Sequence, residues 1–227
     1  RGSQIEKLAW DQDKNDDSSK TTYDNDWSTA TLQKLLNGSY YNGSDTVTYY
    51  SDESGTTTTS LNMTSIGIKN DATRNLISEE TWNIGGWNGS SVYSNQIYGY
   101  ERGTTVYSGR PTTWTGKIAL AYPSDYGYAA DLSQCTQNLK YYNNSTCISN
   151  NWMRTIVTNN GGNYGWLLTP RSGSSSFAWT VISSGSVNGL YYVYPAIGVV
   201  PVLSLASDLA MESGDGTSSN PYKLSVN

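Results

Sequence analysis

The sequence predicts an α+β fold in a single domain built mostly from short antiparallel strands, with few helices and long loops. Three observations lead there. Apolar runs of strand length close the chain at Trp166-Leu167-Leu168 and Val199-Val200-Pro201-Val202-Leu203. Only one stretch carries a strong helical pattern, and turn-forming Gly, Asn, Asp and Ser punctuate the rest. No segment has linker composition and no repeat of solenoid length recurs, so 227 residues form one domain, 1–227, with 166–205 as its strand frame.

In chain order, Ile5 to Trp10 reads as a strand. The first helix is expected after Asp26-Trp27-Ser28, a capping sequence; Leu32, Leu35 and Leu36 share a helical face, and Asn37-Gly38 supplies the stop. A weaker helix is expected within Ser60 to Glu80. KIALAY, from Lys117 to Tyr122, reads as a buried strand, and Pro123 to Tyr128 as a turn. A short helical turn follows between Asn151 and Val157. The two closing apolar runs are read as central strands, buried on both faces, and Gly214 to Leu224 as a Gly/Asp turn entering a last strand.

Composition limits the chemistry. The chain holds 19 Tyr and 8 Trp against one Phe, and a net charge of -5, so its packing depends on aromatic rings whose polar tips need partners. The 14 Lys and Arg form no cluster, which argues against nucleic acid as a partner. Histidine is absent. That excludes Ser/His/Asp and Cys/His nucleophilic sites and imidazole-ligated zinc; no nucleotide-binding glycine motif is present either. No cofactor is implied, and the chain is read as a non-enzyme.

The remaining candidates are few. Glu79, Glu80, Glu101 and Asp125 could supply a carboxylate pair for glycoside hydrolysis, but solvated acids explain them more simply. Asp11 to Asp17 imitates the start of a calcium loop, although Asp16 replaces the sixth-position Gly and Thr22 the twelfth-position Glu. Asn-x-Ser/Thr triplets at Asn37, Asn42, Asn62, Asn88, Asn143 and Asn144 arise by chance in so Asn-, Ser- and Thr-rich a chain. Cys135 and Cys147 are either two free thiols or a disulfide worth about 3 kcal/mol on the chain-entropy model. Low Lys content, a Ser/Thr/Tyr/Asn surface and paired cysteines point to an extracellular or cell-surface location. No run of about eighteen apolar residues is present to span a membrane. The opening Arg1-Gly2-Ser3 lacks an initiator Met, so an excised ectodomain is expected, with any anchor upstream.

Between the apolar runs lies the best candidate for function. Ser172, Ser174, Ser175, Ser176, Phe177, Trp179, Ser183, Ser186, Asn188, Leu190, Tyr191, Tyr192, Tyr194 and Ala196 have the composition of an antibody paratope, rigid aromatics among small polar groups. Val181, Val187 and Val193 recur every six residues as inward anchors. On strict alternation, Ser186, Asn188, Leu190, Tyr192 and Tyr194 then share the outer face, and an exposed apolar-aromatic patch marks an interaction site. The ligand, protein or glycan, is not specified by these residues.

An ordered series of short motifs adds a family resemblance. Leu8-Ala9-Trp10-Asp11, Trp27-Ser28, Leu35-Leu36-Asn37-Gly38 with Tyr40-Tyr41, and Ser124 to Ala129 lead to Tyr164 to Pro170, Gly185-Ser186-Val187, Gly198 to Leu205, Gly214 to Thr217 and Asn220-Pro221-Tyr222. The series resembles bacterial surface proteins with a C-type-lectin-like, formylglycine-generating-enzyme-like fold. Some relatives are variable proteins of diversity-generating retroelements, and others are pilin-like, with a prepilin helix that would lie upstream of Arg1. The resemblance implies a bacterial display or adhesion protein whose diversified positions fall within 172–196, and, as an alternative, a structural or minor subunit packing against others in a type IV pilus-like filament. Val200 stands where the family's G-V-R-P-V motif has Arg. Neither cysteine matches the catalytic arrangement of formylglycine-generating enzymes, so that activity is not implied.

Overall fold

The computed structural model describes residues 5–12, 23–50, 58–158, 164–217 and 219–226. Thirteen strands are described, in chain order β1 (Glu6–Leu8), β2 (Thr46–Tyr50), β3 (Thr58–Asn62), β4 (Glu80–Asn83), β5 (Thr113–Gly116), β6 (Ile118–Leu120), β7 (Tyr164–Pro170), β8 (Phe177–Ile182), β9 (Val187–Tyr192), β10 (Ile197–Val199), β11 (Pro201–Leu203), β12 (Leu209–Ser213) and β13 (Lys223–Val226). Five form the principal sheet, in the order β1-β10-β7-β8-β9, and the others pair as β2-β3, β4-β5, β6-β11 and β12-β13. Every pairing is antiparallel except β10 with β7. The architecture is therefore α+β with short strands, as expected.

The buried run of β7 places it at the centre of that sheet, where successive side chains enter two different cores. Trp166 and Leu168 join one cluster with Leu8, Trp10, Trp27, Leu32 and Val199. Leu167 points the other way, into a cluster with Ile97, Tyr126, Leu139, the two cysteines, Trp179 and Val187. Layers on both faces explain why β7 has no polar alternation. The disulfide Cys135–Cys147 forms, with Cα atoms 4.8 Å apart, and reinforces the second layer. Among the described residues no helix is long and apolar enough to cross a membrane.

The second apolar run divides. Ile197–Val199 belongs to the principal sheet, but Pro201–Leu203 leaves it to pair with β6, and there Leu203 is exposed while Pro201 and Val202 are half-buried. Only its first part is thus a doubly covered strand.

Three helical expectations also change. The first helix is a five-residue turn, Thr31–Leu35, starting at Ala30, while Asp26 instead receives the Ser28 N–H in the turn before it. Asn37-Gly38 does not stop it: a π turn, Leu36–Tyr40, continues across a kink at Gly38. Asn37 is instead a bracket. Its Oδ1 accepts from the N–H groups of Lys117 and Ile118 at 3.0 and 2.9 Å, and its Nδ2 donates to the Ile118 carbonyl at 2.8 Å, fixing the start of β6.

Pro123–Tyr128 is a helix rather than a turn. Pro sits at its start, where its missing N–H costs nothing, and Asp125 Oδ2 accepts the Tyr122 N–H at 2.9 Å, which outweighs Gly127. Ser60 to Glu80 holds two single turns, Met63–Ile66 and Asp71–Arg74, in place of one helix. As expected, a helix covers Arg154–Thr158, and the Gly214/Gly216 turn, both glycines at positive φ, delivers the chain into β13. Asn62 and Asn144 are helix caps, accepting from Thr64 and Thr146 N–H groups.

Candidate functional site

The residues singled out between Ser172 and Ala196 occupy β8, β9 and the loops beside them, at the sheet edge formed by β9. The loop entering β8 is held from below by Asn25, which is 1% exposed. Its Nδ2 donates to the carbonyls of Arg171, Ser174 and Phe177 at 3.1, 2.9 and 2.7 Å, and its backbone N–H to the Ser175 carbonyl at 2.7 Å. Ser172, Ser174, Ser175 and Ser176 are half-buried on this support. On the far side of β9, the Val193 carbonyl accepts from the N–H groups of Trp10 and Asp11.

Val181, Val187 and Val193 are buried, as their spacing predicts. The common outer face does not follow. Ala178 pairs with Tyr191 and Thr180 with Asn188, so β9 spends three residues where β8 spends two. The extra residue is a bulge, and it reverses side-chain parity. Asn188 and Tyr192 therefore do not point to one face, and the candidate surface resolves into two parts.

The first part is a row of rings. Phe177 lies 4.4 Å from Tyr192, Tyr192 5.1 Å from Tyr194, and Tyr194 4.9 Å from Tyr23. Tyr23 is buried, and Tyr192, 47% exposed, is the most open member, so the row rises from the core to the surface. The second part is a groove of about 340 Å³ lined by Ser186, Val187, Asn188 and Leu190 of the sheet edge, with Ile182, Ser90 and Lys140. Leu190 is 50% exposed, and its N–H is held by Asn188 Oδ1 at 2.9 Å.

Two expected contacts are almost closed to solvent. Trp179 is 1% exposed, its ring pressed against Gly189 so closely that an added Cβ would come within 2.6 Å; Ser186 is buried in the turn before β9, where alternation does not apply. Tyr191 is half-buried, packed on Tyr164 and Trp166 at 4.7 and 5.7 Å, and belongs to the frame. Ser183 is exposed in the β8–β9 turn and Ala196 half-buried before β10, neither among the rings or groove residues. Tyr23, Ser90 and Lys140 are additions that long-range packing alone reveals.

The carboxylates separate as well. Glu79 is exposed, and Glu80 accepts from the Ser78 hydroxyl at 2.6 Å. Glu101 is fully buried, with Ser124 N–H donating to Oε1 at 3.0 Å and the Ser124 hydroxyl to Oε2 at 2.5 Å, while Arg102 lies 3.3 Å from Oε2. Burial, assisted by Asp125, pushes its carboxyl from the ordinary 4.5 up to about 7 against the opposing pull of Ser124 and Arg102. A group so placed has no open side to offer a sugar. Of the calcium-loop candidate, Asp13 to Asp17 and Thr22 lie outside the described residues. Asp11 is buried and accepts from Asp24 and Thr31 N–H groups.

Glu101 gives a pH prediction. Its folded pKa is raised, so the folded state holds the proton more tightly, and stability is full below about 4.5 and falls as pH climbs through about 7. The loss amounts to about 3 kcal/mol. Denaturant melts at pH 5 and pH 7.5 should show it, and Glu101→Gln, which keeps an acceptor and a donor for Ser124, should abolish most of the difference.

Searches against protein-family models, curated proteins and solved structures found no match to this chain.

Proposed function

We propose that this chain is an extracellular recognition domain of C-type-lectin-like fold whose ligand contacts come from the ring row and groove at the β9 edge. One observation carries the reading: Phe177, Tyr192 and Tyr194 stack outward in a continuous row from buried Tyr23, beside the exposed Leu190. Tyrosine rings held by their neighbours lose little entropy on binding, and aromatic residues in such positions are typical hot spots. The rings lean on one another at 25–46°, leaving edges and hydroxyls for a partner. That suits a protein surface, and a glycan is the alternative ligand. The disulfide supports an extracellular setting.

The same division between buried valines and surface residues suits a diversified display protein. Asn188, Leu190 and Tyr192 can change without emptying the core, whereas Val181, Val187 and Val193 cannot. A reverse transcriptase gene beside the locus, with an imperfect copy of the coding region differing only at template adenines, supports diversification; differences at other bases, or no copy, leave an invariant binding protein.

Screening the labelled domain on arrayed proteins and glycans tests recognition itself. Tyr192→Ala with Tyr194→Ala should weaken binding to an array hit roughly tenfold or more and leave the domain folded by near-ultraviolet circular dichroism. Unaltered binding by the folded double variant removes the assignment.

A further inference from the structure

A second aromatic surface lies on the layer that carries the disulfide. Tyr128, at the end of the Pro123–Tyr128 helix, is exposed and separates two hollows. One, of about 180 Å³, lies between Tyr93, Leu132 and the Cys135 side. The other, of about 400 Å³, is floored by Ala121, Ala129, Met153 and Val202, with Tyr128, Trp152 and Asp125 around it. Trp152 is 56% exposed, unusual for the largest apolar side chain.

The larger hollow combines two aromatic side chains with a carboxylate. Trp152 contacts no other aromatic ring among the described residues, and Tyr128 meets only the edge of Tyr98, at 6.3 Å. Asp125 spends Oδ2 on the Tyr122 N–H; its other oxygen has no partner among the described residues. Elsewhere the chain supplies its own cations to rings: Arg102 sits 3.6 Å over exposed Tyr98, Lys140 5.7 Å over exposed Tyr141, and Lys117 4.7 Å over half-buried Tyr41. Among the described residues no Lys or Arg lines this hollow, and Arg102, the cation acting on Asp125, is engaged by Glu101 and Tyr98.

We propose that this hollow binds a small quaternary ammonium cation of the choline type. Alkylated ammonium groups are weakly hydrated, sit against Trp and Tyr faces, and take their charge balance from a carboxylate without needing hydrogen-bond acceptors. The mostly apolar floor suits methyl groups and suits a polyhydroxylated sugar poorly. A primary ammonium would leave donors unsatisfied there.

The test uses the ¹⁵N-labelled protein, following the Trp152 indole N–H signal, assigned by its loss in Trp152→Phe. Choline should shift this signal saturably, with a dissociation constant on the order of 1 mM. 3,3-Dimethylbutan-1-ol, of the same shape without the charge, should bind about tenfold more weakly, as should choline to Asp125→Asn, which keeps an acceptor for the Tyr122 N–H. Phosphocholine distinguishes the source: tighter binding than choline assigns a lipid or polymer headgroup, weaker binding assigns the free cation, as repulsion by Asp125 predicts. Equal binding of choline and the neutral alcohol, or no saturable shift with choline, overturns the proposal.

Discussion

Asn25→Asp should destabilise the domain by about 3–5 kcal/mol at pH 7, the cost of leaving a charge buried without a partner. The wild-type amide donates to three carbonyls between Arg171 and Phe177 from a position almost closed to solvent. A carboxylate there offers only acceptors to acceptors. Protonation restores one donor, so burial must raise the new carboxyl well above the ordinary aspartate value near 3.9. The sign follows: the folded state binds the proton more tightly, so the defect is smallest near pH 4 and grows as pH rises through the raised value. Thermal melts of N25D at pH 4 and pH 7 should therefore diverge, while Asn25→Ala, which removes donors without adding charge, shows a pH-independent loss. Hydrogen exchange should report faster opening of the 172–176 amides in both variants. Equal melting of N25D at the two pH values would sink this account of the loop.

Trp166→Ala is expected to cost about 4 kcal/mol. Trp166 is 1% exposed on the central strand, packs edge-on against Tyr191, and donates from Nε1 to the Leu8 carbonyl at 2.8 Å. Its loss opens a cavity on one face of the sheet and leaves the β1 end without that tie. For a chain of this length the melting temperature should fall by roughly 8–16 °C. Trp166→Phe, which keeps most of the volume but not the N–H, should lose less than half as much. A small, equal effect from both would mean that β7 is not the frame.

The parts legible in the sequence are those where local pattern and tertiary burial agree. Trp166 to Leu168 and Ile118 to Leu120 are apolar because both faces of each are covered, and the Gly214 turn is visible because its positive φ requires glycine. The Ser94–Glu101 helix left no such trace. Among its residues only Ser94, Ile97 and Glu101 are buried, and what holds it is a cap from Gln96 to the Tyr93 N–H and the tether of Glu101 to Ser124. Polar anchors of this kind look like surface residues in a sequence. Asn25 and Asn37 were concealed for the same reason.

The candidate site was legible in composition and not in geometry. Alternation placed the three valines inside, but a single extra residue in β9 turned Asn188 and Tyr192 to different faces, and no Gly or Pro rule locates that bulge uniquely. Trp179 illustrates the limit of composition: it has the chemistry of a binding residue and the position of a core one, beneath Gly189. Conversely, Tyr128 and Trp152 are open to solvent in a segment whose sequence shows no paratope-like run.

Two exposed aromatic surfaces on one chain make the location of ligand contact the central question, and hydroxyl-radical footprinting with mass spectrometry answers it without substitutions. The domain is labelled alone and in complex with an array hit. Protection concentrated on Phe177, Leu190, Tyr192 and Tyr194 is the predicted result; protection confined to Tyr93, Tyr98, Tyr128 and Trp152, with Tyr192 as reactive in the complex as in the free domain, would contradict it.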